Sequence, residues 1–235
     1  MRLDQYLTQN FNIQSRNKAS EIIKSNKVKI DGKTVSKPSY LVDDTSSIEL
    51  LEEDFYVSRA AYKLKYFLDE ISLDLNNQNA LDIGSSTGGF TQILLEKNIK
   101  KVTCVDVGSN QLHQKIKKDK RIVFFENQDI RTFETEDHFD IITCDVSFIS
   151  ILNILNDINR LSKDKIIILF KPQFEVGTNI KRDKKGVVKD KKAIVKARTK
   201  FLDESKLLGW TLIYCEASKL EGKDGNEEEL FYFNK

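Results

Sequence analysis

Between Ala80 and Pro172 five short apolar, β-rich runs recur: ALDIG, KVTCVDV, RIVFFENQD, FDIITCDVS and KIIILFKP. Each is separated from the next by a segment long enough for a crossover helix. No other feature constrains the fold as strongly, because strands joined by crossovers run parallel and need helices on both faces, which makes this an α/β sheet. The end of the chain breaks the rhythm. WTLIYCEAS and ELFYFNK are strand-like runs joined by the polar loop SKLEGKDGNEEE with no helix between them, so the last two strands are expected to be antiparallel neighbours.

Residues 1–48 read as a separate small α+β module. Leu3, Tyr6 and Leu7 recur at helical spacing, and Ser15 is placed to cap a second helix whose apolar face is Ala19, Ile22 and Ile23. VKIDGKTV then places Asp31-Gly32 between alternating residues, a strong hairpin signal. Residues 49–57 change character and are read as a linker, or an added strand, before the α/β domain at 58–235. A chain of 235 residues has room for both parts.

The formal net charge is only +2, but it is unevenly distributed. Residues 1–40 hold eight Lys/Arg against three acids, and residues 171–200 hold eleven against three. Such local excess suits a phosphate-binding surface. Arg2, Arg16, Lys18, Lys29 and Lys33 are the candidate phosphate contacts in the first block, Lys181, Arg182, Lys184 and Lys185 in the second, with Arg59 between them. Cys104, Cys144 and Cys215 are odd in number and lie in apolar runs, which fits core residues of a reducing cytoplasm and suggests neither a disulfide framework nor a metal site. The most apolar stretch, Ile166–Phe170, is too short to span a bilayer, and nothing in the sequence demands more than a monomer.

In LDIGSSTGGF the first strand runs into a glycine-rich turn, the usual ligand cradle at the carboxyl edge of a parallel sheet. Asp82, Gly84, Ser85, Thr87, Gly88, Gly89 and Phe90 are its candidate cofactor residues. Asp106 closes the next strand, where a carboxylate can take ribose hydroxyls, and Asp129 closes the third, where one can accept from an adenine amine. A dinucleotide and S-adenosyl-L-methionine both fit these acids. The G-x-x-x-G-G spacing departs from the dinucleotide G-x-G-x-x-G, and the antiparallel final strand also favours a methyltransferase sheet.

Methyl transfer to a ribose hydroxyl needs in-line approach and a base for a very weak acid; a lysine can serve if desolvation or a second ammonium favours its free amine. Asp145 closes the fourth strand and Lys171 the fifth, neighbours at one sheet edge.

The ordered motifs SRAAYKL, LDIGSSTGGFTQ, VDVG, CDVSFIS, LFKPQFEVG and GNEEE resemble the TlyA family, whose catalytic domain is similar to the FtsJ-type ribose 2′-O-methyltransferases. MRLDQYL, SRNKASEII and VKIDGKTVSKP resemble the alpha-L RNA-binding motif that precedes it. The resemblance implies a Rossmann-like class I methyltransferase sheet, S-adenosylmethionine as cofactor, and a Lys-Asp-Lys-Glu tetrad of Lys63, Asp145, Lys171 and Glu228. Lys171 would be the base, with Lys63 and Asp145, which is also counted with the cofactor residues, orienting it and the ribose. Glu227 and Glu229 remain alternatives to Glu228. The implied substrate is a cytidine ribose in ribosomal RNA, in the large subunit for the shorter family form that this chain resembles. Phe55, Tyr56, Phe174 and Phe148 are candidates for base stacking, with packing favoured for Phe148. An inactive RNA-binding or assembly factor is the alternative, and a membrane-active haemolysin a weaker one.

Overall fold

The computed structural model describes residues 1–11, 13, 15–43, 45–51, 56–222 and 224–235. The chain divides into two units, Met1–Phe55 and Tyr56–Lys235. In the first, helices α1 (Leu3–Asn10) and α2 (Arg16–Lys24) precede strands β1 (Val28–Ile30), β2 (Lys33–Thr34) and β3 (Ile48–Leu50). Leu3, Leu7, Ala19, Ile22, Ile23, Val28 and Ile30 close one core. Ser15 caps α2, its Oγ accepting from Lys18 N at 3.2 Å. Asp31 and Gly32 both take positive φ, 49° and 77°, as a tight two-residue hairpin turn requires.

Residues 49–57 are not all linker. Ile48 and Leu50 pair with Ile30 and Val28 on the free side of β1, because their alternating apolar side chains add to the small core. Tyr56 and Val57 are buried in the second unit, where Tyr56 Oη donates to Glu96 at 3.1 Å and Val57 N to Gln92 at 2.9 Å. Phe55 and the rest of 52–55 lie outside the described residues.

The second unit begins with α3 (Arg59–Glu70), β4 (Asn79–Ile83), α4 (Gly89–Glu96), β5 (Lys101–Val105), α5 (Gln114–Lys117) and β6 (Ile122–Phe125). It continues through β7 (Phe139–Cys144), α6 (Leu155–Leu161), β8 (Ser162–Phe170), α7 (Pro172–Glu175), α8 (Lys191–Leu207), β9 (Thr211–Ala217) and β10 (Glu229–Asn234). Its sheet has the order β6-β5-β4-β7-β8-β10-β9, with β10 antiparallel to both neighbours. One face packs against α3 and α4 through Leu64, Phe67, Ile93 and Leu94; the other packs against α6 and α8 through Ile158, Leu161 and Phe201. The crossovers are less regular than expected. Between β5 and β6 the helix is one turn, and between β6 and β7 only a 3₁₀ turn forms at Ile130–Thr132. The edge strand β6 is half exposed and gives a covering helix little apolar surface to bury.

Candidate active site

Sheet order explains why four distant polar residues meet. Asp145 follows β7 and Lys171 follows β8, so both leave the carboxyl edge of adjacent strands. Because β10 is antiparallel, its beginning lies at that same edge: Glu229 pairs with Phe170, which sets Glu228 beside Lys171 in the register. Lys63 belongs to the buried side of α3, among Ala61, Leu64 and Phe67.

Two ion pairs result. Lys63 Nζ lies 2.5 Å from Glu228 Oε2, and Lys171 Nζ lies 2.6 Å from Asp145 Oδ1. Lys171 also donates to Ser147 Oγ at 2.9 Å, and Gln173 Nε2 to Glu228 Oε1 at 3.3 Å. Lys63, Lys171 and Glu228 are each less than a tenth exposed. Burial pushes the Asp145 carboxyl above its ordinary range, opposed by the Lys171 charge. Of the three consecutive glutamates, Glu228 is the one at Lys63; Glu227 is exposed and Glu229 pairs with Arg198 at 2.8 Å.

Two adjoining cavities open beside this cluster. One, about 370 Å³, is lined by Gly84, Asp106, Gln128, Asp129, Ile130 and Asp145; a smaller one, about 170 Å³, is lined by Ser58, Ser86, Gly89, Ser147 and Lys171. The glycines have steric causes. A Cβ on Gly84, at φ 75°, would lie 2.9 Å from the Asp145 carbonyl oxygen, and one on Gly89 would lie 2.2 Å from Ser58 Oγ. Asp106 is fixed by Ser86 N and Gly108 N, each donating at 2.7 Å to a different carboxylate oxygen. Ser85, Thr87 and Phe90 line the smaller cavity, although Phe90 is chiefly core. Gly88 ends the turn in a left-handed conformation and opens α4.

Several expected site residues have other work. Asp82 faces the interior, fully buried, and accepts from Thr91 Oγ1 at 2.6 Å and Thr143 Oγ1 at 2.8 Å; alternation along β4 turns it away from the cradle. Burial raises its carboxyl to about 6. Asp129 lies beyond β6, caps the 3₁₀ turn and is gripped by Arg131 Nη2 at 2.6 Å, though it still lines the larger cavity. Arg182 is a loop staple, its guanidinium donating to the carbonyls of Ile180, Gln173 and Gly177 at 2.8, 2.7 and 3.1 Å. Arg59 donates to the Glu221 carbonyl at 3.3 Å. Lys33, Lys181, Lys184 and Lys185 are exposed and Lys29 half-buried.

In the first unit Arg2 and Arg16 bracket the buried Asp4 at 3.1 and 3.0 Å, while Lys18 approaches Glu21 at 3.5 Å. Tyr56 is core and offers no ring to a base, whereas Phe148, expected to pack, is 92% exposed with φ 66° and meets Phe174 at a centroid distance of 5.2 Å. Ser147 and Gln173 were missed, although both stand inside the specific motifs CDVSFIS and KPQFEVG. So was Ser58, whose signal was a serine at a helix N-cap. Its Oγ makes no capping bond and is buried without a hydrogen-bond partner.

A glycine turn, strand-end acids and a buried Lys-Asp-Lys-Glu cluster on this sheet define a methyltransferase. Residues 56–235 match the FtsJ-like methyltransferase family, and residues 1–48 match the S4 domain. The 23S rRNA (cytidine-2′-O)-methyltransferase TlyA of Campylobacter jejuni is 47% identical over the full length of both chains. The 16S/23S rRNA (cytidine-2′-O)-methyltransferase TlyA of Mycobacterium tuberculosis is 35% identical, covering 98% of this chain and 88% of its own. A solved structure described as a hemolysin from Streptococcus thermophilus superposes with a TM-score of 0.74 at 30% identity, covering all of this chain and 88% of that one. The chain therefore belongs to the TlyA family of FtsJ-like methyltransferases. Among the described residues no helix is long and apolar enough to cross a membrane.

Proposed function

We propose that the protein transfers a methyl group from S-adenosylmethionine to the 2′-hydroxyl of a cytidine in ribosomal RNA, in the large subunit. The observation that carries this reading is the pair of buried ion pairs, Lys63–Glu228 and Lys171–Asp145, the second of which lines the smaller glycine-walled cavity. The residues present fit the cofactor. Gly84 and Gly89 bring bare backbone to the wall of the smaller cavity, Ser58 Oγ is a buried polar atom without a partner, and Asp106 is a rigidly held acceptor on the larger cavity wall. When bound, the cofactor supplies an electrophilic methyl group on a positive sulfur.

The chain's own residues then supply the rest. Asp106 would take ribose hydroxyls of the cofactor, and the 84–89 turn would hold its amino-acid end. Lys171 Nζ takes the 2′-hydroxyl proton, leaving the ribose oxygen as the nucleophile for the methyl group that the cofactor would supply. Asp145 and Ser147 fix the direction of Lys171, and Glu228 fixes Lys63 against the acceptor ribose. Phe148, exposed at the cavity mouth, offers a face for an unstacked base. Exposed lysines at 181, 184 and 185 and the arginines of the S4 unit contact phosphates.

The test is transfer of labelled methyl from S-adenosylmethionine to separated ribosomal subunits by wild type and Lys171→Ala, with digestion of the product to place the label on sugar or base. Label on a large-subunit ribose, reduced about 10²- to 10⁴-fold in the variant, is expected. Label on a base, or turnover in Lys171→Ala equal to wild type, refutes the reading.

A further inference from the structure

The motifs CDVSFIS and KPQFEVG contain more than the cluster uses. Glu175 ends α7, four residues beyond Lys171, and its side chain crosses to the other loop. Ser150 Oγ donates to Glu175 Oε2 at 2.6 Å and Ile151 N donates to Oε1 at 2.9 Å. Among the described residues no cation pairs with this carboxylate, and desolvation raises its affinity for a proton. A half-buried acid held by neutral donors adds little stability over a polar isostere; what it does add here is a fixed distance between two loops.

Three contacts form a ladder between those loops. At one end Lys171 Nζ donates to Ser147 Oγ at 2.9 Å, in the middle the Phe148 and Phe174 rings meet, and at the far end Glu175 holds Ser150 and Ile151. Within this span Phe148 holds a φ of 66°, a strained conformation for a bulky aromatic that persists only where its surroundings enforce it. Ser150 also anchors the 3₁₀ turn that follows, accepting from Leu152 N at 3.2 Å, so the far end of the strained stretch is fixed by groups that lead back to Glu175.

We propose that Glu175 is a positioning residue: by clamping the loop after β7 to the loop after β8 it holds Lys171 beside Ser147 and Phe148 exposed at the cavity mouth. It sets turnover without touching cofactor or RNA. This rests on the reading of Lys171 as the base.

The experiment compares Glu175→Ala, Glu175→Gln, Ser150→Ala and Lys171→Ala in the full chain. It measures S-adenosylmethionine affinity by calorimetry, melting temperature, and kcat and KM on rRNA per cofactor-binding site. A loosened clamp should lower kcat by about 10- to 100-fold in Glu175→Ala with cofactor affinity unchanged, since small misplacements of a reacting group cost that much. Glu175→Gln, which can keep both partners, should retain most of kcat, and Ser150→Ala should lose little more when combined with Glu175→Ala.

A lowered melting temperature with wild-type kcat per binding site in Glu175→Ala would make the clamp merely structural and overturn the proposal. An equal loss in Glu175→Gln would assign the effect to charge and overturn it too. Should Glu175→Ala not fold, wild-type kcat in Ser150→Ala decides against it. Active Lys171→Ala would remove the base reading and this proposal with it, whereas inactive Lys171→Ala beside normal Glu175 variants removes the proposal alone.

Discussion

Replacing Lys63 by Met removes one charge of a pair that is almost wholly withdrawn from water. The side chains of Lys63 and Glu228 are 10% and 3% exposed and their charged atoms are 2.5 Å apart. Without the ammonium, Glu228 keeps, among the described residues, only the 3.3 Å hydrogen bond from Gln173 as a side-chain donor. A buried carboxylate stripped of its cation costs about 3–5 kcal/mol. For a unit of this size each kcal/mol moves the midpoint by about 2–4 °C, so the catalytic unit should melt roughly 6–20 °C lower. The companion change Glu228→Gln removes the orphaned charge, and the double variant should regain most of that loss because a buried pair is worth little against neutral packing. Methyl transfer should stay abolished in all three proteins. Scanning calorimetry and labelled-methyl transfer on the same preparations separate the two effects. If Lys63→Met melts within about 2 °C of wild type, less than 1 kcal/mol is at stake and the pair is not desolvated as its geometry implies.

Asp82 should respond to pH in the opposite sense from a salt-bridged acid. Its folded carboxyl is raised to about 6 from 3.8, so the native state binds the proton more tightly, and stability falls by up to about 3 kcal/mol as pH rises from 4 to 6. Asp82→Asn should flatten that slope in urea denaturation at pH 4.5 and 7; an unchanged slope refutes the assignment. Asp4, held at about 2 by Arg2 and then Arg16, contributes stability that is present above the ordinary carboxylate range and lost as pH falls through 2, which side-chain NMR titration of wild type and Asp4→Asn would detect. Phe148→Ala should weaken acceptor use by about 1–3 kcal/mol, the worth of one stacked base, with cofactor affinity unchanged in calorimetry; loss of cofactor binding would instead make Phe148 part of the cofactor site.

Strand ends were legible because a β-rich run followed by a polar residue marks where a parallel sheet meets its ligands, and Asp145 and Lys171 stand at such ends. Which way a carboxylate faces was not. Asp82 and Asp106 look alike in sequence, yet Asp82 stands inside β4 opposite Cys104, where it meets the threonine hydroxyls, while Asp106 stands two positions further along the register, past the end of β5, at the cavity. Arg182 stands in a lysine-dense run that reads as solvated, but its planar guanidinium can serve several carbonyls at once, and it does so with three. Phe148 offered no signal. Its 92% exposure goes with a φ of 66°, a conformation that an aromatic residue type does not foretell.

Glu228 illustrates the remaining step from motif to site. Three adjacent glutamates are equivalent in sequence; the antiparallel register of β10 against β8 singles out one, because alternate positions at the strand entrance face Arg198 and Lys63 in turn. Lys63 is equally silent alone, a cation on the apolar side of α3 whose partner lies 165 residues away. The Lys63–Glu228 pair joins the first helix of the unit to its last strand. Half of the tetrad therefore cannot assemble until β10 has inserted between β8 and β9, so a chain ending before Glu228 would retain the glycine turn and Asp106 but not a complete site.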